Sequence, residues 1–309
     1  MKIGILGLGE QYSIATAIAG AIAAAEGGFD TYWLPGEVDP ISAIVSIGRE
    51  VPGIMLATSV IPVYSRHPVA LAAEALMTNQ AIGGRLILGI GLSHRSIVPT
   101  KWGQPFDRPV RYLREYLEIL VPLLDTGTVD FQGDMLGGHT TIRVDGAMRP
   151  PLLVAAMGPQ TLRVAGRYAD GTDTWMTGPK TLADLTVPTI GAAAATAGKP
   201  PPRIAAGMIV CVTNDEKAAR DRAAEELAHH AQFPTYRAMR DREGVNGPAD
   251  IAIIGGTAAV RTAVLGYRDV GVTDFIASPF GNPEERLETR AVLSALGAEL
   301  TGVGDTASR

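Results

Sequence analysis

The residues in this chain best suited to chemistry lie where strand-like runs give way to small residues. Gly89-Ile90-Gly91-Leu92-Ser93-His94 reads as a strand running into such a loop. Glycines there let backbone N–H groups approach a bound group closely, and Ser93 can add a hydroxyl to a phosphate. His94 can donate a proton or stand as an ordinary surface imidazole. Ala156-Met157-Gly158-Pro159 ends another strand just before a helix. Free N–H groups at the positive end of the helix dipole suit a phosphate, although a Gly-Pro pair also serves as a plain strand-to-helix turn. Trp175 and Thr177-Gly178 end the next strand and can line the same opening, Trp175 equally as a core or rim aromatic. Trp33-Leu34-Pro35-Gly36-Glu37 ends the second strand. Glu37 can act as a general acid, hold a substrate, or cap the helix that begins near Asp39.

The first forty residues imitate a dinucleotide-binding unit. A strand enters Gly7-Leu8-Gly9, a helix follows, and the second strand ends near Glu37. The fingerprint needs a third glycine at position 12, so that helix and strand pack closely, and Tyr12 stands there. No second mononucleotide half follows, so this reading is set aside.

The elements that must position these residues alternate along the whole chain. Strand-like runs span Ile3–Leu8, Phe29–Leu34, Ile54–Ile61, Arg85–Ile90, Leu152–Ala156, Thr172–Met176, Ile204–Val212 and Thr273–Ser278. Helical patterns follow them: Ser13 caps one that runs to Glu26, and Pro68 opens one that reaches Gln80. Further helices span Ile41–Glu50, Pro109–Leu124, Pro159–Tyr168, Leu182–Thr196, Thr257–Val270 and Pro283–Leu296, and Asp215–Arg242 reads as one long charged helical region. Eight β-then-α units imply a parallel sheet with right-handed crossovers, and their number favours a closed barrel over an open sheet. We therefore expect an α/β fold: a single (β/α)8 TIM barrel over residues 1–309, with excursions near 126–149 and 229–256.

Composition bounds the partners. The 309 residues are 46% hydrophobic and 19% charged, a globular balance, and the net charge of -5 gives no reason to expect nucleic acid or an anionic membrane. The single cysteine, Cys211, lies in an apolar run and reads as a buried structural thiol, so neither a disulfide nor a cysteine metal cluster is expected. The adjacent His229 and His230 point in different directions on a helix and make a poor chelate. With no secretory signal legible, a cytoplasmic protein is expected.

Three segments, in this order and spacing, resemble the bacterial-luciferase-like superfamily. They are Thr58-Ser59-Val60 with the helix to Gln80, Gly84 to His94, and Ala156-Met157-Gly158-Pro159 followed by Ala165-Gly166-Arg167-Tyr168-Ala169-Asp170-Gly171. The branch they look like is the coenzyme F420-dependent oxidoreductases, with the methylene-tetrahydromethanopterin reductase and F420-dependent glucose-6-phosphate dehydrogenase groups. The ending Gly271-Val272-Thr273-Asp274-Phe275-Ile276-Ala277-Ser278-Pro279-Phe280 is similar too.

This resemblance implies a barrel oxidoreductase that moves hydride between F420 and a small organic substrate. FMN-dependent monooxygenation and a non-catalytic F420-binding barrel are the alternatives. The resemblance implies a cis peptide bond between Ser59 and Val60, bulging against the central deazaflavin ring. It implies a cofactor site of Gly36, Ser59, Val60, Gly91, Leu92, Ser93, His94, Ala156, Met157, Gly158, Pro159, Trp175 and Thr177, with Glu37 and His94 as catalytic groups and no metal. His94 aligns with a glutamate of the sugar-phosphate dehydrogenases. Relatives have two glycines before the proline where this chain has Met157-Gly158. An acid or histidine often ends their second strand, where Gly36-Glu37 stands here. A homodimer through outer helices such as Ala70–Met77 is also expected.

Overall fold

The computed structural model describes residues 1–7, 13–36 and 39–302. Among these, eight strands form the barrel: β1 (Lys2–Leu6), β2 (Thr31–Pro35), β3 (Met55–Ser59), β4 (Leu86–Gly91), β5 (Leu152–Ala155), β6 (Gly171–Trp175), β7 (Arg203–Val212) and β8 (Asp274–Pro279). Each pairs in parallel with the next, and β8 pairs with β1, so the sheet closes. Strands covered on both sides read as continuous apolar runs, which is why Leu86–Gly91 is buried at every position.

Eight helices wrap the sheet: α1 (Ile14–Glu26), α2 (Pro40–Glu50), α3 (Pro68–Ala81), α4 (Pro109–Thr126), α5 (Pro159–Tyr168), α6 (Val187–Thr196), α7 (Thr257–Asp269) and α8 (Pro283–Thr301). Their starts follow local chemistry. Ser13 accepts the Thr16 N–H at the head of α1, and Asp39 accepts the Ile41 N–H at the head of α2. Proline occupies the first position of α2, α3, α4, α5 and α8, where the missing N–H costs nothing.

Two apolar layers result. Inside the barrel, Leu6, Trp33, Ala57, Ile87, Leu153, Ala205 and Ile276 form one cluster. The outward residues of the same strands join the helices in the larger cluster, which includes the buried Cys211. Arg203 and Asp274 pair at the strand N-termini, Thr273 also donating to Asp274. This closes the end away from the strand C-termini.

The sequence-based element limits change in three places. The run 54–61 is two strands, Met55–Ser59 and Ile61–Pro62, broken at Val60. The charged region expected from 215 to 242 is three helices, Glu216–Glu226, Ala228–Ala231 and Pro234–Glu243. A short strand that periodicity could not reveal, Ile253–Gly255, pairs with β7. The stretch after α4 holds an antiparallel hairpin, Thr128–Gln132 against Gly137–Thr141. Its turn is pinned by Glu115 of α4, which accepts N–H groups of Asp134, Met135 and Leu136. Among the described residues, no helix is long and apolar enough to cross a membrane.

The false dinucleotide signal has a packing origin. A side chain at Gly7 or Gly20 would overlap the Tyr32 hydroxyl, so these small residues make room for a phenol. Gly9 and Tyr12 lie outside the described residues.

Candidate active site

The strand C-termini gather at one end of the barrel, the end at which such barrels place their chemistry. The sequence-predicted residues described there come from five consecutive units. Gly36 follows β2, Ser59 ends β3 with Val60 just beyond, and Gly91 ends β4 ahead of Leu92, Ser93 and His94. Ala156 and Met157 follow β5, with Gly158 and Pro159 opening α5, and Trp175 ends β6 ahead of Thr177. Glu37 lies outside the described residues; the cap of α2 comes from Asp39.

The end of β3 is the most constrained part of this rim. Leu56 and Ala57 pair with Leu86 and Ile87, yet Ile61 and Pro62 pair with Ile90 and Gly91. Four steps along one strand match three along the other, so one extra residue bulges out between Thr58 and Val60. The Ser59–Val60 peptide is cis, as the resemblance implies. Where the backbone ladder is interrupted, the Thr58 hydroxyl replaces it, donating to the Gly89 carbonyl and accepting the Gly89 N–H, both at 2.8 Å. Glycines enclose the bulge. A methyl at Gly36 would collide with the Val60 carbonyl, one at Gly89 with the Thr58 carbonyl, and one at Gly91 with the Val60 side chain and the Ala155 methyl. Gly36 and Gly91 therefore both lie against Val60, for a reason the sequence did not state.

Two residues of the rim adopt left-handed backbone that non-glycine residues seldom take: Ser93 with φ 61° and Met176 with φ 52°. Such outliers cluster at functional sites. Thr177 is buried, with its hydroxyl 3.7 Å from the Met157 sulfur, joining the β5 and β6 ends. Gly207 is small because the Trp175 ring fills the space beside it. At α5 the Gly158 N–H is already held by the Thr161 hydroxyl at 3.2 Å. Pro159 has no N–H, so the helix start leaves only the amides of Gln160 and Thr161 without an intrahelical acceptor.

The excursion after β7 supplies a cap that sequence reasoning did not connect to the site. The His94 ring stacks on Phe233, centroids 3.8 Å apart, and lies 5.5 Å from Tyr236. Burial, with His230 and His229 close by, pushes the His94 pKa down to about 4. The ring is therefore neutral at pH 7 and offers an N–H without an excess proton. On another side Tyr64 stacks on Tyr112 at 4.3 Å and meets Phe106 at 5.6 Å, while Arg95 lies over Phe106.

Asp173 was also missed. It occupies the inward face of β6, one alternation below Trp175, and is 4% exposed. The Ser59 side chain from β3 and Tyr236 from the cap lie within electrostatic reach of its carboxyl. The only available signal was its phase with Trp175 in Gly171-Thr172-Asp173-Thr174-Trp175. Among the described residues, no cluster of His, Cys, Asp and Glu could hold a metal ion. A groove of about 480 Å³ lies at the opposite end, lined by Val187, Ala194, Lys199 and Ile204 among others, and contains none of these groups.

Known proteins resemble this arrangement along its length. The sequence profile of the luciferase-like monooxygenase family matches residues 1–299. The 5,10-methylenetetrahydromethanopterin reductase of Methanolobus tindarius is 25% identical over 312 residues, covering 89% of this chain and 92% of its own. The F420-dependent glucose-6-phosphate dehydrogenase of Kineococcus radiotolerans is 25% identical over 323 residues, with 94% of each chain covered. The structure of the coenzyme F420-dependent tetrahydromethanopterin reductase from Methanopyrus kandleri superposes with a TM-score of 0.79 at 20% identity, covering 95% of this chain and 97% of that one. At that identity the superposition establishes the barrel fold.

Proposed function

This chain belongs to the luciferase-like monooxygenase family, and on that premise we propose that it is an oxidoreductase that uses coenzyme F420 to exchange hydride with a small organic substrate. The observation that carries the reading is the bulged end of β3, enclosed by Gly36, Gly89 and Gly91 and facing a mouth lined by small residues. The full-length likeness to an F420-dependent glucose-6-phosphate dehydrogenase supports the same choice. The residues fit a flat ring: the small residues at 91 and 155 let the Val60 side chain seat against β4 as a platform, and the buried Asp173 Oδ2 makes no hydrogen bond among the described residues.

When bound, the deazaflavin supplies a ring carbon that carries hydride and reacts poorly with oxygen. The protein's part is to bind, orient and protonate. Val60 and the adjoining backbone would support one face of the ring, leaving the other for substrate. Gly91, Leu92, Ser93 and Ala156, with the amides following Gly158 and Pro159, would hold the polar and phosphate-bearing parts. Met157, Trp175 and Thr177 would line the rim. His94, neutral and stacked on Phe233, would donate a hydrogen bond, and Glu37 is the other proposed proton-transfer group.

The test is a pair of titrations followed by calorimetry, one with F420 and one with FMN. F420 is expected to bind at least about tenfold more tightly, a difference of about 1.4 kcal/mol. FMN that copurifies and is not displaced by F420 would overturn the cofactor assignment.

A further inference from the structure

Among the described residues, no Lys, Arg or His forms an ion pair with Asp173. Its neighbours in register are Ala155 on β5 and Ala205 on β7, whose methyl groups cannot cover or pair with it. Row by row, Gly91, Ala155 and Asp173 are adjacent inward positions on β4, β5 and β6, and the Val60 side chain stands against the first. Asp173 thus lies on the row that begins beside the bulge. The polar groups that bear on it are Ser59 from β3, Tyr236 from the cap, and Asp274 from β8, whose own charge is paired with Arg203. One oxygen, Oδ2, is fully buried and makes no hydrogen bond among the described residues. Burying an unpaired carboxylate is costly enough that such a group normally keeps its proton. Burial accordingly pushes its pKa up to about 7, opposed by Ser59 and aided by the negative charge of Asp274.

We propose that Asp173 is a positioning residue of the ligand site: its un-ionised carboxyl holds the Ser59 hydroxyl at the base of the bulge and donates its remaining O–H to an acceptor atom of the heteroaromatic ring bound in the mouth. The inference rests on the F420 reading above. It explains why an acid stands on an inward strand position otherwise filled by small and apolar residues. It also explains why the unpartnered oxygen belongs to the residue that braces the bulge.

Asp173→Asn keeps both a carbonyl for Ser59 and an N–H donor for the ring, and it cannot ionise. Asp173→Leu keeps neither. Calorimetric titration with F420 across pH 5.5–9 reads all three proteins. The ratio of wild-type to Asp173→Asn affinity cancels the ligand's own ionisation. That ratio is expected to be level at low pH and to fall about tenfold as the pH rises above about 7, the size of one lost hydrogen bond. Asp173→Leu is expected to bind about tenfold more weakly at the acid end, with Asp173→Asn restoring affinity. Infrared difference spectra of the ligand-free protein add a readout that needs neither cofactor nor the leucine variant to fold. An un-ionised carboxyl band should be present at low pH, be lost on raising the pH, and be absent in Asp173→Asn. Three proteins that bind F420 equally at every pH, or a spectrum without that band, overturn the inference and leave the F420 reading standing. A wild-type protein that does not bind F420 overturns both.

Discussion

At the scale of single residues, the mouth is governed by groups held away from their solution protonation states. Asp173 sets a sign that can be measured. Its folded pKa, about 7, lies above the unfolded value near 3.8. Below both values the acid is neutral in both states and costs nothing. Between them the unfolded chain releases a proton that the folded chain keeps, so stability falls as pH rises, and above about 7 the penalty is constant. Asp173→Asn should therefore gain about 1–3 kcal/mol near pH 8 and nothing near pH 4, read by thermal unfolding at each pH. A variant no more stable at either pH would contradict this. His94 has the opposite profile. Its folded pKa, about 4, is below the ordinary 6.5, so stability falls as pH drops through that interval. His94→Asn should flatten that part of the stability curve, with no change above about pH 7. Neither shift was legible in the sequence. A loop histidine and a threonine-flanked aspartate look solvent-exposed, and both are defined by Phe233, Tyr236 and Ser59, which only the closed fold brings to them.

Between residue and molecule, two element junctions carry most of the local specificity. The first is Thr58 against Gly89. Thr58→Val is nearly isosteric and leaves a buried N–H and carbonyl of Gly89 without a partner. We expect a loss of about 2–3 kcal/mol in unfolding free energy and weaker F420 binding, since the bulge loses its anchor. Unchanged urea midpoint and affinity would show that the ladder bonds re-form around the valine. The second is Glu115, which ties the hairpin turn to α4. Burial alone would raise its pKa, but Arg111 and the amides of Met135, Leu136 and Asp134 outweigh that and lower it. Its contribution is present above the unfolded value and is lost as pH falls through the folded one. Glu115→Gln should cost about 1–3 kcal/mol at neutral pH, and faster proteolysis within 128–141 is the local readout. Elements of this kind divide the legible from the illegible. Caps at Ser13, Pro68, Pro109 and Pro159 are local chemistry and can be read from a few residues. The split of 215–242 into three short helices is legible only in part: Pro234 opens the last of them and can be read locally, whereas the break at Leu227 falls among helix-compatible residues with no local signal. Asp173 stayed hidden for a related reason: strands buried on both faces lack the alternation that would show which residues point inward.

For the whole molecule, the alternation of eight strands and helices was enough to anticipate the barrel, because parallel strands joined by helices admit few closed topologies. Assembly is open to direct measurement. The homodimer expected from the sequence would use faces such as that of α3, where Met77 is 54% exposed. Light scattering at micromolar concentration should then give twice the 32.4 kDa chain mass, and a value of one chain mass would rule the dimer out. Closure of the sheet has a kinetic side. Neighbouring strands from β1 to β8 are joined by one helical unit or one excursion, but β8 must return to β1, pairing Lys2 with Asp274 and Ile5 with Ala277. Ser294 adds a hydrogen bond to the Gly27 carbonyl across 267 positions. Contacts so distant along the chain repay their loop entropy only after the intervening units have formed, so the seam between β1 and β8 should be the last part of the wall to gain protection during refolding. In pulse-labelled exchange, the amides of Gly4 and Leu6, which face β8 as the Lys2 amide does, should trail those of Leu88 and Ile90, although all four lie in buried strands.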